Sequence, residues 1–470
     1  MDTKILRQKI LDLAIRGKLV KQDANEEPAN VLLARIQEER ENQIKQGLRT
    51  KDNILRTYVK VENSMGALYT QYRDPNKARF KSTTSLEPIE IPLFRLPNNW
   101  EWSTIGNIST SVLYGVSESA KTNGKYHLLR ITDIQNNRVN WDTVPYTNYD
   151  EKKAGNYLLE HGDILFARTG ATVGKSYLVN NVVGPSIYAS YLIRVRTSKY
   201  VLPSYIKLFF DSEFYWTQIS KNSLGIGQPN VNGTILSKLA IPLPPLSEQQ
   251  RIVAEVEKWM SLIDTIENGK ENLLQSIATA KSKILNLAVK GKLLEKEGDW
   301  EEKTLGEIFQ HNTGKALNKS ARQEGQLLPY ITTSNLYWDH FELDNVKSMY
   351  FKDSEIEKCT VTKGDLLVCE GGDIGRSAIW NLDYDICIQN HIHRLRPIID
   401  ALPKFYYYVL MFYKSTNNIQ GKGIGMLGLS SKQLHKIILP LPPLSEQQRI
   451  VTKIEQIFAQ LDSIAAAIKS

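Results

Sequence analysis

The chain has 470 residues, with 59 lysines and arginines against 51 aspartates and glutamates, a net charge of +8 and a pI near 9.0. That length calls for about two to four domains rather than one core, and the basic balance suits a polyanion partner. No apolar run of about 18 residues is present, which excludes a membrane-spanning helix, and Cys359, Cys369 and Cys387 lack the CxxC spacing of a zinc site or the pattern of a disulfide framework.

The start, MDTKILRQKILDLAIRGKLV, has no apolar core with a cleavage site, so a cytoplasmic location is expected. Residues 27–46, rich in Glu, Gln and Arg, read as a helix. Residues 48–90 are polar and read as an irregular linker or surface wrapping. Short β-like runs follow, Asp163-Ile164-Leu165-Phe166 and Tyr191-Leu192-Ile193-Arg194-Val195, punctuated by Gly, Asn and Asp. Residues 203–221 read as an aromatic-rich helix. At 242–253 stands PLPPLSEQQRIV, where Pro244 and Pro245 end the strand and Ser247 with Gln250 spells an S-x-x-Q capping box. Val253, Val256, Met260 and Ile263 then follow a/d spacing, which Leu274, Ile277, Ile284 and Ala288 resume. A helix from 247 to about 291 is expected, roughly 68 Å long at about 1.5 Å per residue, with a kink or turn at Glu267-Asn268-Gly269-Lys270.

The rest of the chain repeats this frame. PLPPLSEQQRIV returns unchanged at 440–451, with Ser445 and Gln448 in the capping positions. Trp100-Glu101-Trp102-Ser103-Thr104-Ile105-Gly106 aligns with Trp300-Glu301-Glu302-Lys303-Thr304-Leu305-Gly306, and Gly162-Asp163-Ile164-Leu165 with Gly364-Asp365-Leu366-Leu367. Gly174-Lys175-Ser176 aligns with Gly375-Arg376-Ser377, Arg194-Val195-Arg196 with Arg394-Leu395-Arg396, and the helix at 203–221 with 403–418. One match breaks the order: 10–20 resembles 284–294. The C-terminal helix followed by the N-terminal segment would thus reproduce the central region. The expected class is α+β: two repeated α+β domains separated by long helices in an antiparallel coiled-coil-like rod, with a pseudo-two-fold circular arrangement. The expected parts are an N-terminal helical segment and linker at 1–92, domains at 93–245 and 296–443, a central helical region at 246–295, and a C-terminal helix at 444–470.

Catalytic motifs are not found. Thr169–Ser176 (TGATVGKS) has three residues between its glycines where a phosphate loop needs four, and Arg376 replaces its lysine in the second copy; a β-turn between strands fits better. Gly421–Gly425 is not the strand-to-helix turn of a dinucleotide site. No segment like Asn-Pro-Pro-Tyr occurs, and acidic-x-Lys fragments such as Glu301-Glu302-Lys303 are expected by chance. His391 and His393 put two imidazoles on one strand, but the first copy has Tyr191 and Ile193 there, so no metal site is expected. Two repeated domains without nucleophile, base or ligand sets favour binding over catalysis.

On the repeated I/L-P-L-P-P-L-S-E-Q-Q-R-I-V at 241–253 and 439–451, W-x-x-x-x-L/I-G-x-I at 100–108 and 300–308, G-D-I/L-L with its glycine turn at 162–174 and 364–375, and ILDLAIRGKLV near the start, the chain resembles the specificity subunits of type I restriction–modification systems. The resemblance covers nearly the whole chain and is weakest over 48–90. It implies a non-catalytic subunit whose two target recognition domains each read one half of an asymmetric bipartite duplex, while the helices set the spacer and dock two methyltransferase subunits. It also implies two motor/nuclease subunits. S-adenosylmethionine, ATP and Mg2+ belong to those partners, with no cofactor in this chain and base flipping done by the methyltransferase.

The DNA-binding candidates lie where the copies diverge. Arg168 could take guanine O6/N7, and its approximate counterpart Glu370 could accept from cytosine N4. Gln228 and Asn230 could read adenine, and Lys175 and Arg376 could hold phosphate. Arg194, Arg196, Arg394 and Arg396 recur in both copies and suit a shared role, phosphate contact or a structural ion pair. Val253, Val256, Met260, Ile263, Leu274 and Ile277 are the partner-docking candidates. The competing readings are a pure assembly protein and an inactive or phase-variable allele.

Overall fold

The computed structural model describes residues 2–46, 57–62, 65–70, 85–88, 94–222, 231–317, 324–419 and 429–469. The chain divides into two compact units, Asp2–Glu267 and Asn268–Ser470. The first opens with α1 (Thr3–Ile15), whose N-terminal N–H groups of Lys4 and Ile5 donate to the Asp2 carboxylate. Ile10, Leu11, Ala14 and Ile15 form its buried face. Helix α2 (Ala29–Lys45) follows.

Residues 57–88, expected to be irregular, instead contain strands β1 (Thr57–Glu62), β2 (Met65–Thr70) and β3 (Ser85–Pro88) in one antiparallel sheet, with Glu62 opposite Met65. Tyr58, Val59, Val61, Leu68 and Tyr69 supply the strand-favouring side chains that the polar average of this stretch conceals.

The first domain is built on an antiparallel sheet of β4 (Ser109–Tyr114), β5 (Ile164–Ala167), β6 (Ser176–Leu178) and β7 (Leu192–Thr197), in the order β6-β5-β7-β4. Strand β5 is buried along its whole length, which explains its unbroken apolar run. Ile164 and Phe166 face the core under α3 (Pro203–Asp211) and α4 (Glu213–Asn222), while Leu165 faces a second cluster with Tyr177 and Leu192. Pro203 starts α3 at a position where its missing N–H costs nothing. Ala240–Leu243 pairs with Glu101–Thr104, Pro242 opposite Trp102, so the first and last strands of the domain close on each other.

Helix α5 (Leu246–Val289) runs unbroken through Glu267–Lys270, where a kink or turn was expected. Its 44 residues span about 66 Å. Its first half lies in the first unit and its second half in the second. The second unit repeats the domain with β8 (Phe309–Thr313), β9 (Leu366–Cys369), β10 (Ser377–Ile379) and β11 (Ile392–Pro397), in the order β8-β11-β9-β10. Ile438–Leu441 pairs with Glu301–Thr304 as the closing strand. Helix α6 (Pro403–Ser415) buries Phe405, Tyr406 and Tyr407, and α7 (Leu444–Lys469) meets α5 through Lys281, 2.5 Å from Asp462 and over the Phe458 ring.

The repeated PLPPLSEQQ forms a joint that differs from a capping box. The helices begin at Leu246 and Leu444, ahead of the serines. Ser445 donates to Glu297 at 2.6 Å, and Ser247 bonds Glu26, so both hydroxyls tie the helix start to a carboxylate elsewhere in the chain. The first glutamine of each pair does the joining. Gln249 accepts from the Leu202 N–H and donates to the Pro244 carbonyl, and Gln447 does the same with Leu402 and Pro442, all at 2.8–3.0 Å. Arg251 holds Glu26, and Arg449 holds Glu297. Arg251 holds the Glu26 carboxyl below the ordinary range, and Ser445 first, then Arg449, does so for Glu297.

The off-register match has a structural meaning. Gly17 (φ +67°) packs under Trp100 in the first unit, and Gly291 (φ +63°) packs under Trp300 in the second. The segment after α1 thus stands to the first domain as the end of α5 stands to the second. A Cβ on Gly17 would lie 2.5 Å from Pro97 Cγ. Gly17→Ala is therefore expected to cost about 1–3 kcal/mol in urea denaturation, from left-handed backbone alone, with the clash adding to it.

Candidate nucleic-acid interface

The arginines shared by both copies build the frame. Arg194, 3% exposed, donates to the carbonyls of Leu158 and Asn156 at 2.9 and 3.0 Å. Arg196 grips Asp163 with two hydrogen bonds of 2.7 and 2.8 Å. In the second domain Arg394 donates to the Glu357 and Thr360 carbonyls, and Arg396 grips Asp365 at 2.8 and 2.7 Å. Arg196 and Arg396 form the structural ion pair, Arg194 lies 4.0 Å from Asp163, and Arg394 is held by carbonyls. Arg194 and Arg394 are buried and turned inward, which removes them from a phosphate-binding surface. Sequence reading missed Asp163 and Asp365, because the G-D-I/L-L pattern reads as a turn followed by a strand.

The residues that differ sit just beyond this frame. Arg168 directly follows β5, with its guanidinium 4.9 Å from the Tyr114 ring centroid. The Tyr114 hydroxyl in turn accepts from the Gly233 N–H at 2.7 Å. Arg168 is thus braced on an aromatic pedestal that sequence reading did not find. Its counterpart Glu370 stands at the end of β9 with its carboxylate 3.7 Å from His391. The Leu429 N–H donates to the Glu370 carbonyl at 2.8 Å. Lys175 is exposed at the start of β6. Arg376 stacks over Tyr337 at 5.0 Å and donates to the Thr333 carbonyl at 2.6 Å, which ties it to the Leu336–Phe341 hairpin. Gln228 and Asn230, like Gly421–Gly425, lie outside the described residues.

The stretch containing Thr169–Ser176 joins antiparallel strands, Phe166 opposite Ser176, with a single 3-10 turn between them. It does not lead into a helix, so no helix N-terminus faces a phosphate there. Among the described residues no cluster of three or more His, Cys, Asp or Glu side chains could hold a metal ion. The same frame thus carries two different tips, Arg168 with Lys175 and Glu370 with Arg376.

A family model described as type I restriction modification DNA specificity domain matches residues 97–276 and again 297–470. The chain belongs to that DNA specificity family. Its relatives include the type I restriction enzyme EcoKI specificity subunit of Escherichia coli strain K12, 23% identical over 80% of this chain and 86% of that one. Another is the putative MjaX specificity subunit of Methanocaldococcus jannaschii, 24% identical over 77% of this chain and 87% of that one. Among solved structures, the HsdS subunit from Thermoanaerobacter tengcongensis has the same fold, with a TM-score of 0.53, 20% identity, and coverage of 81% of this chain and 93% of that one. A chain from a type I R-M system, solved for its complex assembly and conformational transition, gives a TM-score of 0.62 at 21% identity, over 80% and 94% of the two chains.

The partner-docking candidates Val253, Val256 and Ile263 are buried in the first unit's own core, with Met260 packed against it. Arg7 of α1 reaches Met260, Asp264 and Glu267 across that seam. Ile277 is also buried and Leu274 is half-buried. The a/d stripe is therefore an internal seam. A different stripe of α5 is exposed, carrying Trp259 at 38% and Leu262 at 49%, one helical turn apart. Its signal in the sequence was an indole on a helix whose apolar seam was already complete.

Proposed function

We propose that the chain reads an asymmetric, two-part duplex DNA target for a type I restriction–modification complex, each recognition domain taking one half and the helices setting the gap. Two methyltransferase subunits dock on the helices, and two motor/nuclease subunits join them. S-adenosylmethionine, ATP and Mg2+ act in those partners, and the complex works in the cytoplasm. The carrying observation is that Asp163–Arg196 and Asp365–Arg396 hold the same frame twice while the tips differ in charge, Arg168 against Glu370. A braced guanidinium suits guanine O6/N7, and a carboxylate suits the cytosine amino group. Lys175 and Arg376 supply charge for the phosphate backbone.

Two measurements test this on the assembled methyltransferase. Affinity for duplex DNA should fall by about 10³-fold or more between about 50 and 200 mM salt. A salt-insensitive interaction would favour the assembly-protein reading. Arg168→Ala should cost about 1–3 kcal/mol of discrimination in one half of the target and leave the other half unchanged. Equal loss in both halves would remove Arg168 from base reading.

A further inference from the structure

Each recognition domain carries a short hairpin beside its tip, and the two are held in opposite ways. In the first domain Gln135 pairs opposite Arg138, which leaves Asn136 and Asn137 as a two-residue loop. In the second Tyr337 pairs opposite His340, which leaves Trp338 and Asp339. Ile134 and Leu336 stand the same number of residues ahead of Asp163 and Asp365, so the hairpins are counterparts. Both stems are fixed to apolar clusters. Ile134 and Val139 pack on the cluster of Leu129 and Trp141, and Phe341 meets Trp380 with ring centroids 4.9 Å apart.

The loop of the second hairpin is committed inward. Trp338 packs on Tyr407 of α6, with centroids 6.0 Å apart, and Lys404 of α6 bonds Asp339 at 2.6 Å. The His340 ring stacks on Tyr337, which also lies under Arg376. In the first domain both sides of that clamp are absent. With Leu202-Pro203 set against Leu402-Pro403, the helix positions of Lys404 and Tyr407 hold Ser204 and Lys207. Lys207 bonds Asp211 of its own helix at 2.5 Å. A cleft of about 680 Å³ opens instead, lined by Asn136 and Asn137 of the hairpin and by Phe210 and Asp211 of α3. Thr169 and Lys175 line the same cleft, so the hairpin adjoins the turn that follows Arg168.

The first loop therefore keeps its polar groups free. Gln135 turns back to the Thr132 carbonyl at 3.0 Å. Asn136, Asn137 and Arg138 are exposed, and among the described residues none of the three has a side-chain hydrogen bond or ion pair. Asn136 and Asn137 have φ of +50° and +56°, the backbone that a two-residue hairpin loop requires. Each amide presents a donor beside an acceptor, the pattern that matches adenine N7 and N6 in the major groove. We propose that Asn136 and Asn137 are specificity-determining residues that read adenine in the first half-site, beside the base taken by Arg168. This rests on the proposed function. The two domains then differ in how many elements read DNA as well as in tip charge, since the second hairpin instead braces Arg376.

Asparagine also suits such a loop by its backbone alone, and glycine separates the two roles. The double variant Asn136→Gly with Asn137→Gly keeps the left-handed backbone and removes both amides. The test uses the assembled methyltransferase, its target duplex and duplexes changed at one base pair in either half, with binding read by fluorescence anisotropy. The double variant should lose about 5- to 150-fold discrimination at one or more A·T pairs of the first half and keep that of the second half. Unchanged discrimination throughout the first half, or equal loss in both halves, would overturn the hairpin reading. The proposed function would stand if Arg168→Ala still altered the first half alone. No sequence-selective binding by the wild type would overturn both. If the double variant fails to fold, Asn136→Asp and Asn137→Asp, made singly, keep the loop shape and leave only acceptors. At least one should abolish the adenine preference, and an unchanged preference in both would overturn the proposal.

Discussion

Asp163→Ala is expected to destabilise the first recognition domain by about 3–5 kcal/mol, the usual cost of removing one partner from a buried ion pair. Asp163 is 1% exposed, and it takes both nitrogens of Arg196 while lying 4.0 Å from Arg194, itself 3% exposed. It also accepts the Glu160 N–H at 2.9 Å. Alanine would leave one guanidinium buried among carbonyls with no counter-charge. Asp163→Asn keeps the acceptor and loses the charge, so its cost should be smaller. Asp365→Ala should do the same to the second domain, where Asp365 takes Arg396 and the Thr362 N–H. Urea denaturation with a probe in each domain measures both. A change under about 1 kcal/mol would be the range of an exposed pair and would contradict the structural role given to these residues.

The second large effect concerns assembly. Trp259→Ala is expected to weaken binding of the methyltransferase subunits by about 2 kcal/mol or more, roughly 30-fold, as for a central aromatic anchor. Leu262→Asp should do the same by setting a charge on the apolar stripe. Trp259 is 38% and Leu262 49% exposed, so each change should cost less stability than a fully buried core truncation, about 2–5 kcal/mol. By contrast Val256→Ala, at 1% exposure, should unfold before it dissociates. Sedimentation of the purified subunits separates the two results. Normal assembly of both exposed-stripe variants would move the docking surface elsewhere.

The repeat was legible because its frame is written in apolar strands and proline joints. Ile164–Ala167 and Leu366–Cys369 are buried on both faces and read as unbroken apolar runs. The long helix was legible from its seam, and the residues also named as docking candidates prove to be covered largely within the chain. A stripe of Val253, Val256 and Ile263 says that something covers it, not whether the cover is α1 of the same chain or another subunit. The three strands within 57–88 were missed because a two-residue gap and short runs give little periodicity.

Pairings across long sequence gaps were not legible. Asp163 and Arg196 are 33 residues apart, and His311 lies 82 residues from His393 and 124 from His435. His393 was weighed against its sequence neighbour His391, when its partner stands on the adjacent strand. The serines of the repeated joint matched a capping box by spacing, yet the helix starts ahead of them and the first glutamine carries the joint. Spacing along the chain cannot say where a helix begins when a proline can open it.

The central claim is that two unlike readers sit on one repeated frame, and mapping N6-methyladenine across host DNA tests it most directly. The chain would be co-expressed with its methyltransferase subunits, with a parallel culture lacking the chain. The account predicts an asymmetric two-part motif with a fixed gap, present only with the chain, and altered in one half alone by Arg168→Ala. Methylation that is absent, or the same without the chain, would contradict it.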